Sequence, residues 1–305
     1  MNKRTFRIGT RGSPLSLIQT LEVLRALETH HPALQGRVEV IPMKTTGDTI
    51  VDRSLIDLGG KSLFTKEIET ALSMGSIDLA VHSMKDMAAE FPPGLIVPAM
   101  LEREDPRDAL ITREGQGLED LPEGALFGTS SLRRQALVLQ KFPHLQAVAL
   151  RGNVQTRLSK IENGEAEATL LAVAGLKRLG LLEKATQVLS IEEYLPAVAQ
   201  GAIGIQCREE DSDLLELLAP LNHHVTFQAV TAERAFMKAL NGSCRTPIAA
   251  YAMIEGEALF FKGMLSEPQG QNMRFVSHGG PASLAKNIGQ EAALLLQEKE
   301  CIVSS

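Results

Sequence analysis

Over roughly the first 200 residues the chain repeats one pattern: a short apolar run, a turn carrying hydroxyl or charged residues, then a stretch with helical periodicity. Phe6–Thr10 passes through Arg11, Gly12 and Ser13 into Pro14–Glu28, where Leu17, Leu21 and Leu24 share a stripe, and Val38–Met43 follows. A short apolar run next to an amphipathic helix buries its faces only by layering, so the pattern predicts an α/β fold. Further strands are expected at Leu79–His82, Leu95–Met100, Phe127–Thr129, Ala147–Leu150, Thr169–Val173 and Ala202–Gln206, and helices near 65–74, 131–141, 153–162 and 174–180. In sheets of this kind functional loops are expected at strand ends.

The charged stretch LEREDPRDA around 100–108 separates two such α/β sets, and a second crossing is expected near Leu195–Gly201. Two crossings imply two lobes joined by a double hinge. Beyond His223 the pattern changes to a helix over Val225–Leu240, alternating runs near 248–254, 258–265 and 272–277, and a final helix near 282–298, which reads as a small α+β domain. The expected domains are 1–101 with 202–220, then 106–198, then 224–305. Gly9–Pro14 and Gly128–Arg133 echo each other weakly, each passing from a strand through a hydroxyl-rich turn into a helix; two similar lobes or chance would both produce this.

With 305 residues, 44% of them apolar, the chain can bury more than one core. The opening MNKRTFRIGT carries no apolar signal region and no long apolar span follows, which points away from export and from membranes. Cys207, Cys244 and Cys301 are odd in number and far apart, so neither a disulfide framework nor a CxxC metal site is expected, and a reducing cytoplasmic setting fits. A net charge of −6 argues against nucleic acid as the main partner.

Against that acidic background, cations gather at strand-to-helix turns. Arg11 precedes the cap Ser13, Arg133 and Arg134 follow Thr129, Ser130 and Ser131, Arg151 follows another strand, Arg157 lies on the next helix, and Lys177 and Arg178 follow the run LLAVAGL. Each serine explains itself as a helix cap and each arginine as a surface charge. Together, guanidinium forks beside free helix N–H groups suit a polyanionic ligand between lobes, whether phosphate or carboxylate. The segment 78–86, DLAVHSMKD, delivers Ser83, Lys85 and Asp86 where a buried strand ends, which suits a catalytic carboxylate but also a local ion pair or helix start. His82 reads as a packed or hydrogen-bonded histidine. Cys244 lies in a turn-rich loop beside Arg245, a setting that favours a nucleophilic thiolate, whereas Cys207 ends an apolar run and reads as core. P-loop, dinucleotide-fingerprint, HExxH and GxSxG patterns are missing from the sequence.

Taken in order, TRGSPLSL at 10–17, GGKSLFTKEIE at 59–69, DLAVHSMKD at 78–86, EREDPRDAL at 102–110, GTSSLRRQ at 128–135, LRGNVQTRLSK at 150–160, LAVAGLKRLG at 171–180, AQGAIGIQCR at 199–208, LNHH at 221–224, TAERAF at 231–236 and LNGSCRTPIAAY at 240–251 resemble the porphobilinogen deaminase family. The resemblance implies two lobes of the type II periplasmic-binding-protein kind plus a small α+β C-terminal domain. It also implies a hydroxymethylbilane synthase of porphyrin and haem biosynthesis, a monomeric transferase that condenses four porphobilinogen molecules onto a dipyrromethane primer with loss of ammonia and releases the tetrapyrrole with water. By the same resemblance the dipyrromethane cofactor is attached through a thioether to Cys244, and Asp86 is catalytic. Ser83, Lys85, Asp86, Thr129, Ser131, Arg133, Arg134 and Arg151 would line the cofactor. Arg11, Ser13, Arg151, Arg157, Arg178 and Gln200 would bind substrate, with Lys61 and Phe64 on a cleft loop; no metal is implied. The chain departs from the family pattern at Ser62, Ala199 and Ser243, none of which removes a charged or nucleophilic group.

Two rivals stand beside this reading. A non-enzymatic anion-binding protein would take up ligand without covalent modification. A cysteine-dependent transferase for another acidic substrate would be active with no bound pyrrole.

Overall fold

The computed structural model describes residues 5–49, 65–243 and 246–301. Its strands are β1 Phe6–Arg11, β2 Val38–Met43, β3 Leu79–Ser83, β4 Leu95–Met100, β5 Asp108–Thr112, β6 Leu126–Gly128, β7 Gln146–Val148, β8 Ala168–Ala172, β9 Gln187–Val188, β10 Ile203–Arg208, β11 Ile248–Glu255, β12 Ala258–Leu265 and β13 Arg274–Pro281. The helices are α1 Pro14–His30, α2 Thr46–Thr49, α3 Lys66–Ser73, α4 Leu132–Lys141, α5 Val154–Glu162, α6 Val173–Arg178, α7 Ser212–Leu218, α8 His224–Ala239 and α9 Ala285–Cys301.

The chain divides into two compact units, Met1–Glu104 with Ala202–Phe227, and Asp105–Gly201 with Gln228–Ser305. The first unit holds a sheet of order β2-β1-β3-β10-β4, in which β1 runs parallel to β2 and β3 while β10 runs antiparallel to β3 and β4. The second holds β7-β6-β8-β5-β9, in which β6 runs parallel to β7 and β8 while β5 runs antiparallel to β8 and β9. In both sheets the antiparallel strand is the one that follows a crossing of the chain, β5 after the first and β10 after the second. The echo between Gly9–Pro14 and Gly128–Arg133 is thus the local trace of a shared topology. This is the α/β architecture expected from the sequence, together with a small C-terminal α+β part built from the antiparallel sheet β11-β12-β13 and its helices.

Each sheet is held by apolar side chains from strands and flanking helices. In the first unit Ile8, Val23, Leu27, Leu79, Ile203, Ile205 and Cys207 share one core. In the second, Phe127, Leu137, Val138 and Leu170 pack in a core that also takes in Ala249 and Met264, so the second α/β sheet and the C-terminal sheet cohere. Phe127 is fully buried there, and truncating such a ring to alanine costs about 3–5 kcal/mol. Among the described residues, no helix is long and apolar enough to cross a membrane.

Candidate functional site

In the first unit, β1 and β3 are parallel neighbours, in register at Ile8 with Leu79 and Gly9 with Ala80, so their carboxyl ends emerge side by side. Arg11 closes β1 and Ser83 closes β3, which continues into a single 3-10 turn, Met84–Asp86. Ser13 caps α1, accepting a hydrogen bond from the Ser16 N–H at 3.2 Å, and Pro14 fits the first helical position because it lacks an N–H there. Arg11 Nη1 lies 3.6 Å from Asp86 Oδ2. Ser83 donates from Oγ to Gln19 Oε1 at 2.9 Å, and Lys85 is half-buried on the same turn.

Behind this edge His82 is buried. Gln206 Nε2 donates to Glu69 Oε1, so Gln206 Oε1 faces His82 Nε2 as acceptor at 3.0 Å. Burial pulls the imidazole pKa down to about 4, with the Gln206 hydrogen bond and Asp86 opposing and Arg11 adding to the fall. His82 is therefore neutral at physiological pH and its Nε2 is committed, as befits a packed, hydrogen-bonded histidine.

The second unit repeats the arrangement with more charge. Thr129 and Ser131 follow β6; Ser131 caps α4 by accepting from the Arg134 N–H, and Thr129 Oγ1 accepts from the Ser131 N–H. The caps place Arg133 and Arg134 in the first turn of α4, and both are buried, at 4% and 5% exposure. Their common partner is Asp108, fully buried at the start of β5. The antiparallel register sets Asp108 opposite Ala172, the last residue of β8, so β5 begins at the edge where the parallel strands end. Arg133 Nη2 donates to Asp108 Oδ2 and Arg134 Nη2 to Asp108 Oδ1, each at 2.7 Å, while Arg133 Nη1 donates to the Leu195 carbonyl. Burial pushes the Asp108 pKa up, but Arg133 and Arg134 outweigh it and hold the carboxyl well below the usual carboxylate range. Burial likewise lowers the Arg133 pKa against the pull of Asp108, yet a guanidinium stays a cation at neutral pH.

The remaining sequence-predicted residues of this unit lie near the same strand edge. Arg151 follows β7, the parallel neighbour of β6, and is half-buried. Arg157 on α5 donates from Nε to the Gly152 carbonyl at 2.8 Å; Gly152 has φ +117, and a Cβ there would meet Thr156 within 2.6 Å. Arg178 ends α6 and donates to the Gly201 carbonyl at 3.3 Å. Gln200 is fully buried, its Nε2 donating to Pro106 O at 2.7 Å and Asp108 Oδ1 at 2.9 Å, which sets it behind the arginines. Lys61, Phe64 and Cys244 lie outside the described residues.

Asp108, the common partner of these arginines, is hard to single out from sequence because it sits inside the charged stretch between the two α/β sets. The available signal was an acid opening an apolar run, Asp108–Thr112, because a carboxylate at the head of a buried strand needs a cationic partner. With two cations and one anion the cluster keeps a net positive charge out of water. Arg133 Nε and Arg134 Nε are buried and have no acceptor. Unused charged donors beside an unbalanced positive charge are what an acidic pyrrole side chain would satisfy, so these residues fit a dipyrromethane.

Fold and site define an α/β protein that gathers cations at the carboxyl edges of two topologically alike sheets. Residues 6–216 match the family model described as porphobilinogen deaminase, dipyromethane cofactor binding domain, and residues 227–298 match the C-terminal domain of the same enzyme. The chain belongs to the porphobilinogen deaminase family. It is 51% identical to a chloroplastic porphobilinogen deaminase of Oryza sativa subsp. japonica over 93% of this chain and 82% of that protein. It is 49% identical to the porphobilinogen deaminase of Syntrophotalea carbinolica over 96% of this chain and 92% of that protein. Among solved structures, a double mutant of the BvgS VFT2 domain of Bordetella pertussis aligns at 15% identity and a TM-score of 0.42, over 71% of this chain and 84% of that one.

Proposed function

We propose that the chain is a hydroxymethylbilane synthase: a transferase that joins four porphobilinogen molecules in turn, each with loss of ammonia, and releases the linear tetrapyrrole by hydrolysis. The observation that carries this reading is the buried pair Arg133 and Arg134, with Nε donors unused and one positive charge unbalanced, in a chain of the family named above. A dipyrromethane attached by a thioether at Cys244 would supply the free pyrrole α-carbon that the first unit joins, with each later unit joining the ring added before it.

The protein's own groups divide the remaining work. Asp86 accepts hydrogen bonds from pyrrole N–H groups and stabilises positive charge that develops on the ring as ammonia leaves the aminomethyl carbon. Arg11, at 3.6 Å, restrains the Asp86 carboxylate. Ser83 and Lys85 line the same strand end, with Lys85 taking a carboxylate side chain. Thr129, Ser131, Arg133, Arg134 and Arg151 hold acetate and propionate groups of the cofactor, Ser13, Arg157 and Arg178 serve incoming units, and Gln200 supports the arginines from behind through Asp108. The Cys244 thiolate forms the C–S bond to an aminomethyl carbon as ammonia departs, anchoring the primer through a link stable to hydrolysis. Action as a monomer in the cytoplasm, with porphobilinogen as the small-molecule partner, belongs to the same reading.

Incubation with porphobilinogen tests it. Ammonia should be released in step with substrate loss and hydroxymethylbilane should appear; uptake of porphobilinogen with no ammonia would contradict it and favour a binding protein.

A further inference from the structure

Asp108 uses both its oxygens on the arginine pair: Oδ2 accepts from Arg133, and Oδ1 accepts from Arg134 and from Gln200. Arg133 is held at a second point by the Leu195 carbonyl. Gln200 in turn is tied to Pro106 O, so the carboxylate is braced from behind. A guanidinium fixed through its terminal nitrogens cannot swing its Nε–H, and the two Nε donors are the groups left without an acceptor. Leaving charged donors unmatched in a buried site costs about 1–3 kcal/mol each, a cost removed when an anion arrives. Two cations against one carboxylate leave room for one further negative charge. Without Asp108 the pair would carry two uncompensated charges and be free to turn, and neither the orientation nor the number of carboxylates taken would be set.

We propose that Asp108 is a positioning residue that fixes the Arg133 and Arg134 guanidinium groups in advance and limits them to a single pyrrole carboxylate. This rests on the hydroxymethylbilane synthase reading and adds to it a residue that never touches the ligand.

The test is D108N, nearly the same shape without the charge, compared with D108E and with wild type. Each full-length protein, freed of cofactor, is given porphobilinogen, and adduct formation is followed by intact mass alongside thermal melting. D108N should acquire the two-pyrrole adduct roughly tenfold more slowly or worse, with KM for porphobilinogen raised more than kcat is lowered, and D108E should recover part of the loss. Adduct formation by D108N at the wild-type rate would overturn the proposal. If D108N does not fold, arginine side-chain NMR of the full-length, cofactor-free C244S protein decides. Two guanidinium groups with frozen rotation, assigned through R133K and R134K, support advance fixation, and free rotation of both refutes it. A wild type that gains no pyrrole at all fails the underlying reading, and that outcome is distinct from a defect confined to D108N.

Discussion

Arg11 Nη1 lies 3.6 Å from Asp86 Oδ2, the two residues standing at the ends of adjacent parallel strands. Arg11 reaches the acid from 75 positions away in the chain, brought there by strand pairing (86 − 11 = 75). Asp86 is 35% exposed, so the pair contributes about 0–1 kcal/mol to stability and its charge is available for chemistry. Asp86→Asn should therefore melt close to wild type while turnover falls by about 10²-fold or more. Near-normal turnover in the folded variant would remove Asp86 from the mechanism.

Two arginines proposed to bind carboxylate groups should behave differently in stability. Arg133→Ala strands the carboxylate of a fully buried Asp108 beside one remaining guanidinium and should cost about 3–5 kcal/mol in urea unfolding. Arg157→Ala removes a solvent-facing donor to the Gly152 carbonyl and should cost under about 1 kcal/mol while still lowering kcat/KM. Equal destabilisation by both would mean that the buried cluster is not the unit of stability described here.

His82 gives the fold an acid-side weakness. Its folded pKa, about 4, lies below the ordinary 6.5, so the fold favours the neutral form. The associated stability is fully present above pH 6.5, is lost as pH falls from there toward 4, and amounts to about 3 kcal/mol at most. His82→Gln should flatten the dependence of unfolding free energy on pH across that window by about one proton. An unchanged slope would show that the imidazole is not held neutral.

Cys207 should be inert. It is fully buried, and burial, aided by Asp211 and opposed by Arg208, pushes its thiol pKa up to about 11. N-ethylmaleimide at pH 8 should leave Cys207 unlabelled in the folded protein and label it after denaturation, read by peptide mass. Stoichiometric labelling in the folded state would contradict its place in the core.

Periodicity and turn chemistry carried most of the fold. Val38–Met43 and Leu95–Met100 are strands with the predicted bounds, and Pro14 and Leu132 open helices behind the serines read as caps. The strands left unpredicted, Asp108–Thr112 and Gln187–Val188, are a five-residue run opened by an acid and a two-residue ladder, too short to show alternation. Helix α7, Ser212–Leu218, was also passed over; Asp211 caps it within a run of charged residues that reads as loop. The cationic turns were legible because charge stands out beside apolar strands. Burial of Arg133 and Arg134 was not, because it depends on Asp108, 25 residues upstream, meeting them through antiparallel pairing of β5 with β8.

The most direct measurement is the intact mass of the purified protein beside a Cys244→Ser variant. The wild type should exceed its sequence mass by two condensed pyrrole units, present on isolation or gained with porphobilinogen, and the variant should match its own sequence mass. A wild type that gains no pyrrole after incubation would contradict the account and leave an anion-binding protein in its place.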